Sequence, residues 1–274
     1  MDSRDYIFSF GLESLSEVPP DFDLPPDLDA LEAGVFLPQS EKDWLGRRKY
    51  PARILLLTGR EVVLAAHPAS GEPLTRVPLG CLESAECGRI LLMGWITLFW
   101  AGGNRNLQYN TGTAGPVEAF IKKFMDRWLP QAPERAAGDC LTFGKSLDLK
   151  FGYARSAELL PGESLLLQFF QPASFGGRRA GIFRKRVWQA GDLLAATSRR
   201  LLWITERHRA QYEPYGTVSR SAPLAFVSGL RSRWVSGVGD MEVIVGTGLS
   251  WRLPLRDSEE GDARKFEAAL GGLI

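Results

Sequence analysis

The chain has 274 residues, enough for two domains of ordinary size, because domains usually contain about 100–200 residues. Hydrophobic residues make up 45% and charged residues 24%, which excludes wholesale disorder, and glycine and proline follow no three-residue period, which excludes collagen. The formal net charge of +1 excludes nucleic-acid binding through overall positive charge. The 3 cysteines do not form a disulfide framework and indicate a reducing compartment, so we expect a cytoplasmic protein.

Residues 1–41 form an acidic segment that contains ten acids and a single base, Arg4. Its proline pairs interrupt regular secondary structure, which predicts an extended segment. Apolar residues recur along it, however, and a free tail has little reason to keep them. We therefore expect an arm that lies over a folded domain, with a disordered arm as the alternative.

The pattern of apolar residues in 42–130 predicts a first domain of strands followed by one helix. Two apolar runs are separated by Gly59-Arg60, which is the length of a hairpin turn. From Val117 to Leu129 the apolar residues recur three and four positions apart, which predicts an amphipathic helix whose apolar face includes Phe124 and Trp128. The strand candidates are 53–58, 61–65, 77–79, 95–100 and 107–109.

Prolines after the helix predict a linker over residues 131–157, and residues 158–274 then repeat the plan of the first domain. A second helix is predicted to begin near Asp257, where the spacing of a capping box occurs. Its apolar face is thin, so we expect it to be held less tightly than the first helix. The strand candidates are 165–170, 187–196, 201–205, 218–226, 241–245 and 249–255.

An internal repeat links the two halves. The hairpin segment 56–64 aligns with 195–203 at an offset of 139 residues, and Val77-Pro78-Leu79 aligns with Ala222-Pro223-Leu224 after six more residues. Because both halves also end in a helix, the pattern predicts a duplication.

The second half resembles a bacterial domain of the pleckstrin-homology (PH) superfold in segments 159–163, 195–205 and 222–224, although the hairpin has alanine where that family tends to have leucine. The first half resembles the family more weakly, through 57–64. The resemblance implies a mainly β (α+β) fold of two antiparallel PH-like barrels or rolls, each closed by a C-terminal α-helix. Residues 1–41 match nothing in the family pattern.

Motifs for catalysis and metal binding are missing from the sequence. The cysteines and the two histidines, His67 and His208, have no zinc-site spacing, and there is no Gly-x-Ser-x-Gly elbow. Gly144-Lys145-Ser146 is similar to the end of a P-loop, but Asp139 stands where the earlier glycine is required. We therefore expect no enzyme, no metal and no cofactor.

The basic stretch 178–233 is the clearest functional feature, with twelve cations against three acids. Its densest part, 178–186, is predicted to be a loop between the first two strands of the second domain. In eukaryotic PH domains that loop often carries the cations that hold inositol phosphates; a solvated loop is the alternative. We expect the following residues to bind an anionic surface or phosphate: Arg178, Arg179, Arg184, Lys185, Arg186, Arg199 and Arg200.

These features favour a non-enzymatic intracellular adaptor that binds a protein partner or an anionic membrane surface through the second domain. One alternative is an autoinhibited regulatory protein whose acidic arm masks the basic face; another is an enzyme with a spatially assembled site. Nucleic acid is disfavoured because aromatic residues do not interleave with the cations. The sequence is compatible with a homo-oligomer and with peripheral attachment to the inner membrane face.

Overall fold

The computed structural model of the chain describes residues 8–39, 50–90, 92–130, 140–180, 183–206, 216–235 and 238–274. Within these ranges the fold is mainly β, as the sequence predicts, with eighteen strands and three α-helices. The chain divides into two units. Unit 1 contains Met1–Leu82, Leu92–Trp95 and Asn106–Trp128, and unit 2 contains Glu83–Leu91, Ile96–Arg105 and Leu129–Ile274.

Unit 1 contains a five-stranded antiparallel sheet whose strands follow one another in chain order. Its strands are β1 (Phe10–Leu12), β2 (Leu31–Leu37), β3 (Arg53–Thr58), β4 (Glu61–Ala66) and β5 (Thr75–Pro78). The two central apolar runs, β3 and β4, are buried on both faces, which is why their sequences are continuous rather than alternating. Helix α1 (Gly115–Trp128) packs against β1 and β2 with the apolar face that the sequence predicts.

The acidic segment is part of unit 1 rather than a separate arm, because β1 and β2 both lie within residues 1–41. Phe22 and Phe36 are buried in the core of this unit. Hydrogen bonds from Arg76 also lower the pKa of Asp27. The described part of the segment forms three ion pairs within unit 1, namely Asp27–Arg76 at 2.9 Å, Asp29–Arg60 at 3.3 Å and Glu32–Arg127 at 3.4 Å. Asp21 Oδ2 also lies 3.1 Å from His67 Nε2.

An eight-stranded sheet has the order β8-β7-β6-β15-β14-β13-β10-β9, and most of its residues belong to unit 2. Neighbours from β10 to β6 pair antiparallel, whereas β9 is parallel to β10. The strands are β6 (Leu82–Ile90), β7 (Met93–Trp100), β8 (Gly103–Asn110), β9 (Leu141–Gly144), β10 (Leu165–Gln171), β13 (Asp192–Thr197), β14 (Arg200–Thr205) and β15 (Gly216–Pro223).

The other elements of unit 2 are a ribbon, a second sheet and two helices. The ribbon is formed by β11 (Ser174–Ala180) and β12 (Phe183–Gln189), and the second sheet by β16 (Val227–Val235), β17 (Val238–Val245) and β18 (Leu249–Arg256). Helix α3 (Glu260–Gly271) packs against β9, β10 and β16, so its buried Phe266 and Leu270 contact both sheets. Helix α2 (Leu149–Glu158) packs against β14.

The domain boundaries differ from the predicted 42–130, 131–157 and 158–274. Strand β6 belongs mostly to unit 2, where it pairs with β15. The predicted linker contains β9 and α2, and α2 is capped by Asp148, whose carboxylate accepts the Phe151 N–H at 2.9 Å. Phe151 is buried against Phe170, which explains why this segment belongs to the unit. Among the described strands, the order in each of the four sheets is open and none closes into a barrel.

The two halves of the chain share one order of elements. Strands β2 to β5 correspond to β10, β13, β14 and β15, and β6 to β8 with α1 correspond to β16 to β18 with α3. The register is also shared, because Glu61 lies opposite Pro78 as Arg200 lies opposite Pro223. No helix in the described ranges has the length and apolar content needed to cross a membrane.

Candidate anion-binding ribbon

The densest cluster of cations lies on the ribbon β11–β12 rather than in a loop. Its two strands pair antiparallel. Along the chain they come between β10 and β13, which pair directly with each other in the main sheet. Arg178 lies opposite Lys185, Arg179 opposite Arg184, and Gly177 opposite Arg186. The side chains of these five cations, and residues 181–182 at the turn, lie outside the described part of the structure.

The pairing concentrates positive charge in a small area. Residues 174–189 include five cations and no acid. Because positions alternate along a strand, positions 179, 184 and 186 share one face of the ribbon, and positions 178 and 185 share the other. Like charges directly opposite one another destabilise a strand pair. The register therefore places cationic residues directly opposite one another at two positions, Arg178 with Lys185 and Arg179 with Arg184.

Arg199 and Arg200, which the sequence analysis placed in the anion-binding set, are buried. The Arg200 side chain is 0% exposed and donates from Nε to Glu163 Oε1 at 2.9 Å. It also donates to the Ser221 hydroxyl at 2.8 Å and to the Glu158 carbonyl. Buried groups with internal partners do not meet a surface ligand, so Arg200 is removed from the set.

Arg199 is likewise turned into unit 2. Its guanidinium donates from Nε to the Pro130 carbonyl and from Nη2 to the Leu129 carbonyl, both at 2.8 Å. These two carbonyls follow the end of α1, where orphan carbonyls need donors. Arg199 is therefore a structural residue and is also removed from the predicted binding set. The five ribbon cations are left as the candidate set.

Sequence reasoning did not identify the partner of Arg200. Glu163 follows the Pro161-Gly162 turn, in which Gly162 has a φ of 73° and so occupies the left-handed region. Its carboxylate accepts from the Leu160 N–H at 2.8 Å and from the Thr197 hydroxyl at 2.6 Å. The segment 159–163 carries part of the resemblance to the PH superfold. Nothing in its spacing indicates which cation pairs with Glu163.

The other cations of the stretch 178–233 do not extend the ribbon into one patch. Arg220 lies over the ring of Trp203 at 4.6 Å and donates to Glu86 Oε2 at 2.8 Å. Arg233 lies near Glu242, at 3.9 Å. Arg207 and Arg209 lie outside the described residues. Arg231 is exposed. Of the described cations outside the ribbon, Arg199, Arg200, Arg220 and Arg233 thus have partners within unit 2.

Unit 2 contains two cysteine thiols whose pKa is raised by burial. Burial raises the pKa of the Cys87 thiol, so the thiol stays protonated and is a poor nucleophile. Burial also raises the pKa of Cys140. Among the described residues of the whole chain, no group of three or more histidines, cysteines or acids is placed to hold a metal ion.

A scan against protein-family models gave no match, and neither did a search of curated proteins.

Proposed function

We propose that the chain is a non-enzymatic binding protein built from two PH-like repeats, and that it binds an anionic membrane surface through the ribbon β11–β12. The observation that carries this proposal is the register of the ribbon, which sets Arg178 opposite Lys185 and Arg179 opposite Arg184. Like charges at opposite positions of a strand pair are unfavourable, and the attraction of each cation to an anionic surface would offset this cost.

The scaffold supports the PH-like part of the proposal. In each half a four-stranded meander is followed by a three-stranded meander and then by a helix. In unit 2 the helix buries Ala263, Phe266 and Leu270 in a core that also contains Phe169 of the main sheet and Trp251 of the second sheet. A helix laid between two sheets in this way covers their apolar faces.

A membrane is favoured over a protein partner by the even distribution of the charge. Cation positions occur on both faces of the ribbon, and the sequence at its turn is apolar, with Ile182 and Phe183. Each Lys or Arg near an anionic membrane contributes about 1 kcal/mol of binding free energy, so five would contribute up to about 5 kcal/mol. Such binding is screened within about 8 Å at physiological salt and weakens as salt rises.

Sedimentation of the full chain with vesicles tests the proposal. The vesicles are phosphatidylcholine with or without phosphatidylserine, each at two salt concentrations. The variant Arg179→Ala/Arg184→Ala removes two ribbon cations, and Lys122→Ala/Arg264→Ala removes two exposed helix cations as the matched control. We expect the ribbon variant to bind phosphatidylserine vesicles about 30-fold more weakly, which corresponds to about 2 kcal/mol.

Equal binding by the ribbon and control variants would contradict the ribbon as the binding site. Equal binding to neutral and anionic vesicles would contradict the anionic surface. Binding to neither vesicle would leave a protein partner as the candidate.

The masking alternative is less well supported than membrane binding. Three carboxylates of residues 1–41 form ion pairs with Arg76, Arg60 and Arg127 of unit 1. Deletion of residues 1–41 would remove β1 and β2 from the five-stranded sheet. We therefore expect that deletion to lower thermal stability and not to strengthen vesicle binding.

A further inference from the structure

The turn between β6 and β7 presents apolar side chains to solvent. Leu92 and Met93 are 73% and 42% exposed, although they are adjacent and large. The backbone beneath them is held, because the Thr111 N–H donates to the Leu92 carbonyl at 3.0 Å. The turn therefore displays these side chains from a fixed position in unit 1.

In the second half, an exposed apolar residue ends the strand that corresponds to β6. Strand β16 corresponds to β6, and its last residue, Val235, is 73% exposed. Residues 236–237 lie outside the described part of the structure. Each turn follows an exposed arginine, Arg89 in the first half and Arg233 in the second. The exposed apolar residues do not occupy equivalent positions, however, because Val235 at the end of β16 corresponds to the buried Ile90 at the end of β6.

The surrounding sequence carries positive charge and no negative charge. Residues 87–117 contain no acid, and neither do residues 227–239. Apolar side chains combined with arginine suit the boundary between lipid headgroups and acyl chains, where the apolar part enters and the cation meets phosphate.

A bilayer fits these turns better than a protein partner does. A stable protein interface buries about 800 Å² on each side, and it usually has a packed apolar centre. A hairpin turn with one or two apolar side chains does not supply such an area. A fluid bilayer, in contrast, accepts single side chains from a protruding turn.

We infer that Leu92 and Met93 form an insertion tip, which enters the headgroup–acyl boundary of an anionic bilayer, and that Val235 makes a separate, weaker contact. This inference rests on the proposed membrane binding, to which it adds an apolar contact that salt does not screen. The tip and the ribbon are separate determinants and are tested separately.

The first experiment measures vesicle binding of the full chain at high and low salt. The tip variant is Leu92→Ser/Met93→Ser. The matched control is Leu149→Ser/Tyr153→Ser, since these residues of α2 are 81% and 76% exposed. We expect the tip variant to bind phosphatidylserine vesicles about tenfold more weakly at both salt concentrations. We expect Val235→Ser to have a smaller effect and the α2 control to bind like the wild type.

The second experiment reports insertion directly. Leu92→Cys carries an environment-sensitive nitrobenzoxadiazole label in a Cys81→Ser/Cys140→Ser background. Cys87 is expected to stay unlabelled because burial raises the pKa of its thiol. The control label is at Ala69→Cys, in the exposed turn after β4. We expect anionic vesicles to shift the emission of the label at position 92 to shorter wavelength and to leave that at position 69 unchanged.

The outcomes separate this inference from the proposed function. If the wild type binds anionic vesicles while the tip variant binds equally well and the label does not shift, insertion is overturned and the ribbon proposal stands. If the α2 control loses as much binding as the tip variant, the apolar contact is general and the tip is overturned. If the wild type binds no vesicle, the proposed function fails and the insertion tip fails with it.

Discussion

The turns Thr58–Glu61 and Thr197–Arg200 are built alike but treat the charge at their fourth residue differently. In each turn the threonine hydroxyl accepts N–H groups two and three residues ahead, and a proline of the next strand lies opposite the fourth residue. Glu61 forms a partly exposed ion pair with Arg76 at 2.6 Å, whereas Arg200 is wholly buried against Glu163 at 2.9 Å.

The difference teaches that the repeat preserves backbone geometry and not charge. The hydroxyl and the proline fix the turn in both halves, so the fourth side chain is free to change. In unit 2 the segment that contains Glu163 and Ser164 lies against the turn, because the Ser198 N–H donates to the Ser164 carbonyl at 2.8 Å. That segment encloses the ion pair, which makes a surface charge in one half a structural charge in the other.

The largest expected effect comes from breaking the buried pair. Removing one partner of a buried ion pair leaves an uncompensated charge, and this costs about 3–5 kcal/mol. We expect Arg200→Ala to lower the free energy of unfolding by that amount in denaturant titrations. Arg76→Ala is the matched control in unit 1, where a partly exposed pair is worth about 1 kcal/mol or less.

Equal losses in Arg200→Ala and Arg76→Ala would show that burial does not distinguish the two turns. The double variant Glu163→Leu/Arg200→Met sharpens the test. Because it removes both charges, we expect it to recover much of the stability that Arg200→Ala loses.

The two closing helices give the next largest effect. The sequence predicts a more weakly held second helix, yet Phe266 is as fully buried as Phe124. Phe266 also lies 5.9 Å from the ring of Phe143 and 6.0 Å from that of Phe169. We expect Phe124→Leu and Phe266→Leu to cost about 1–2 kcal/mol each in denaturant unfolding, within the usual range for core substitutions.

A loss for Phe266→Leu below about 0.5 kcal/mol, as at surface sites, would support the weaker helix that the sequence predicts. We expect equal losses of stability at Phe124 and Phe266 because Phe266 packs against Phe143. Phe143 lies in the predicted linker, so the sequence pattern of α3 alone does not reveal this contact.

Local patterns account for the elements that could be predicted. The apolar runs of β3, β4 and β14 and the helical spacing of α1 identify those elements without tertiary information. The strand β2 was not predicted, because its acidic, proline-rich surroundings indicate an extended arm. The ribbon was predicted as a loop, because facing cations are not a strand signal.

The candidate site was predictable only in part. The five ribbon cations follow from charge density, but Arg199 and Arg200 were included because adjacent cations in a turn are usually solvated. Their burial depends on Pro130, Leu129 and Glu163, which are distant in sequence. The pairing of β6 with β15 likewise joins residues more than a hundred positions apart, and no local pattern specifies it.

A smaller effect is expected from the threonines of the two turns. Thr58→Ala and Thr197→Ala each remove an acceptor for two backbone N–H groups, which costs about 1 kcal/mol. Thr197 also contacts Glu163 at 2.6 Å, so Thr197→Ala is expected to cost more than Thr58→Ala. Denaturant unfolding measures both, and Thr→Ser at each position is the control that retains the hydroxyl. A larger loss for Thr58→Ala would contradict the role assigned to Glu163.

The smallest expected effect depends on pH and arises in unit 2, at the start of α3. Burial raises the pKa of Glu259 from its ordinary value of 4.5, and Asp192 adds to this, although Arg256 and Lys145 oppose it. A carboxyl whose pKa is raised by folding binds its proton more tightly in the folded state, so its contribution to stability is complete below pH 4.5 and is lost as pH rises through the raised pKa. Glu259→Gln stays neutral and does not undergo this loss. We therefore expect the variant to gain stability relative to the wild type as pH rises from 4 to 8, with Glu260→Gln as the control at the neighbouring, more exposed site. A difference between Glu259→Gln and the wild type that does not change with pH would show that Glu259 titrates as it does in the unfolded chain.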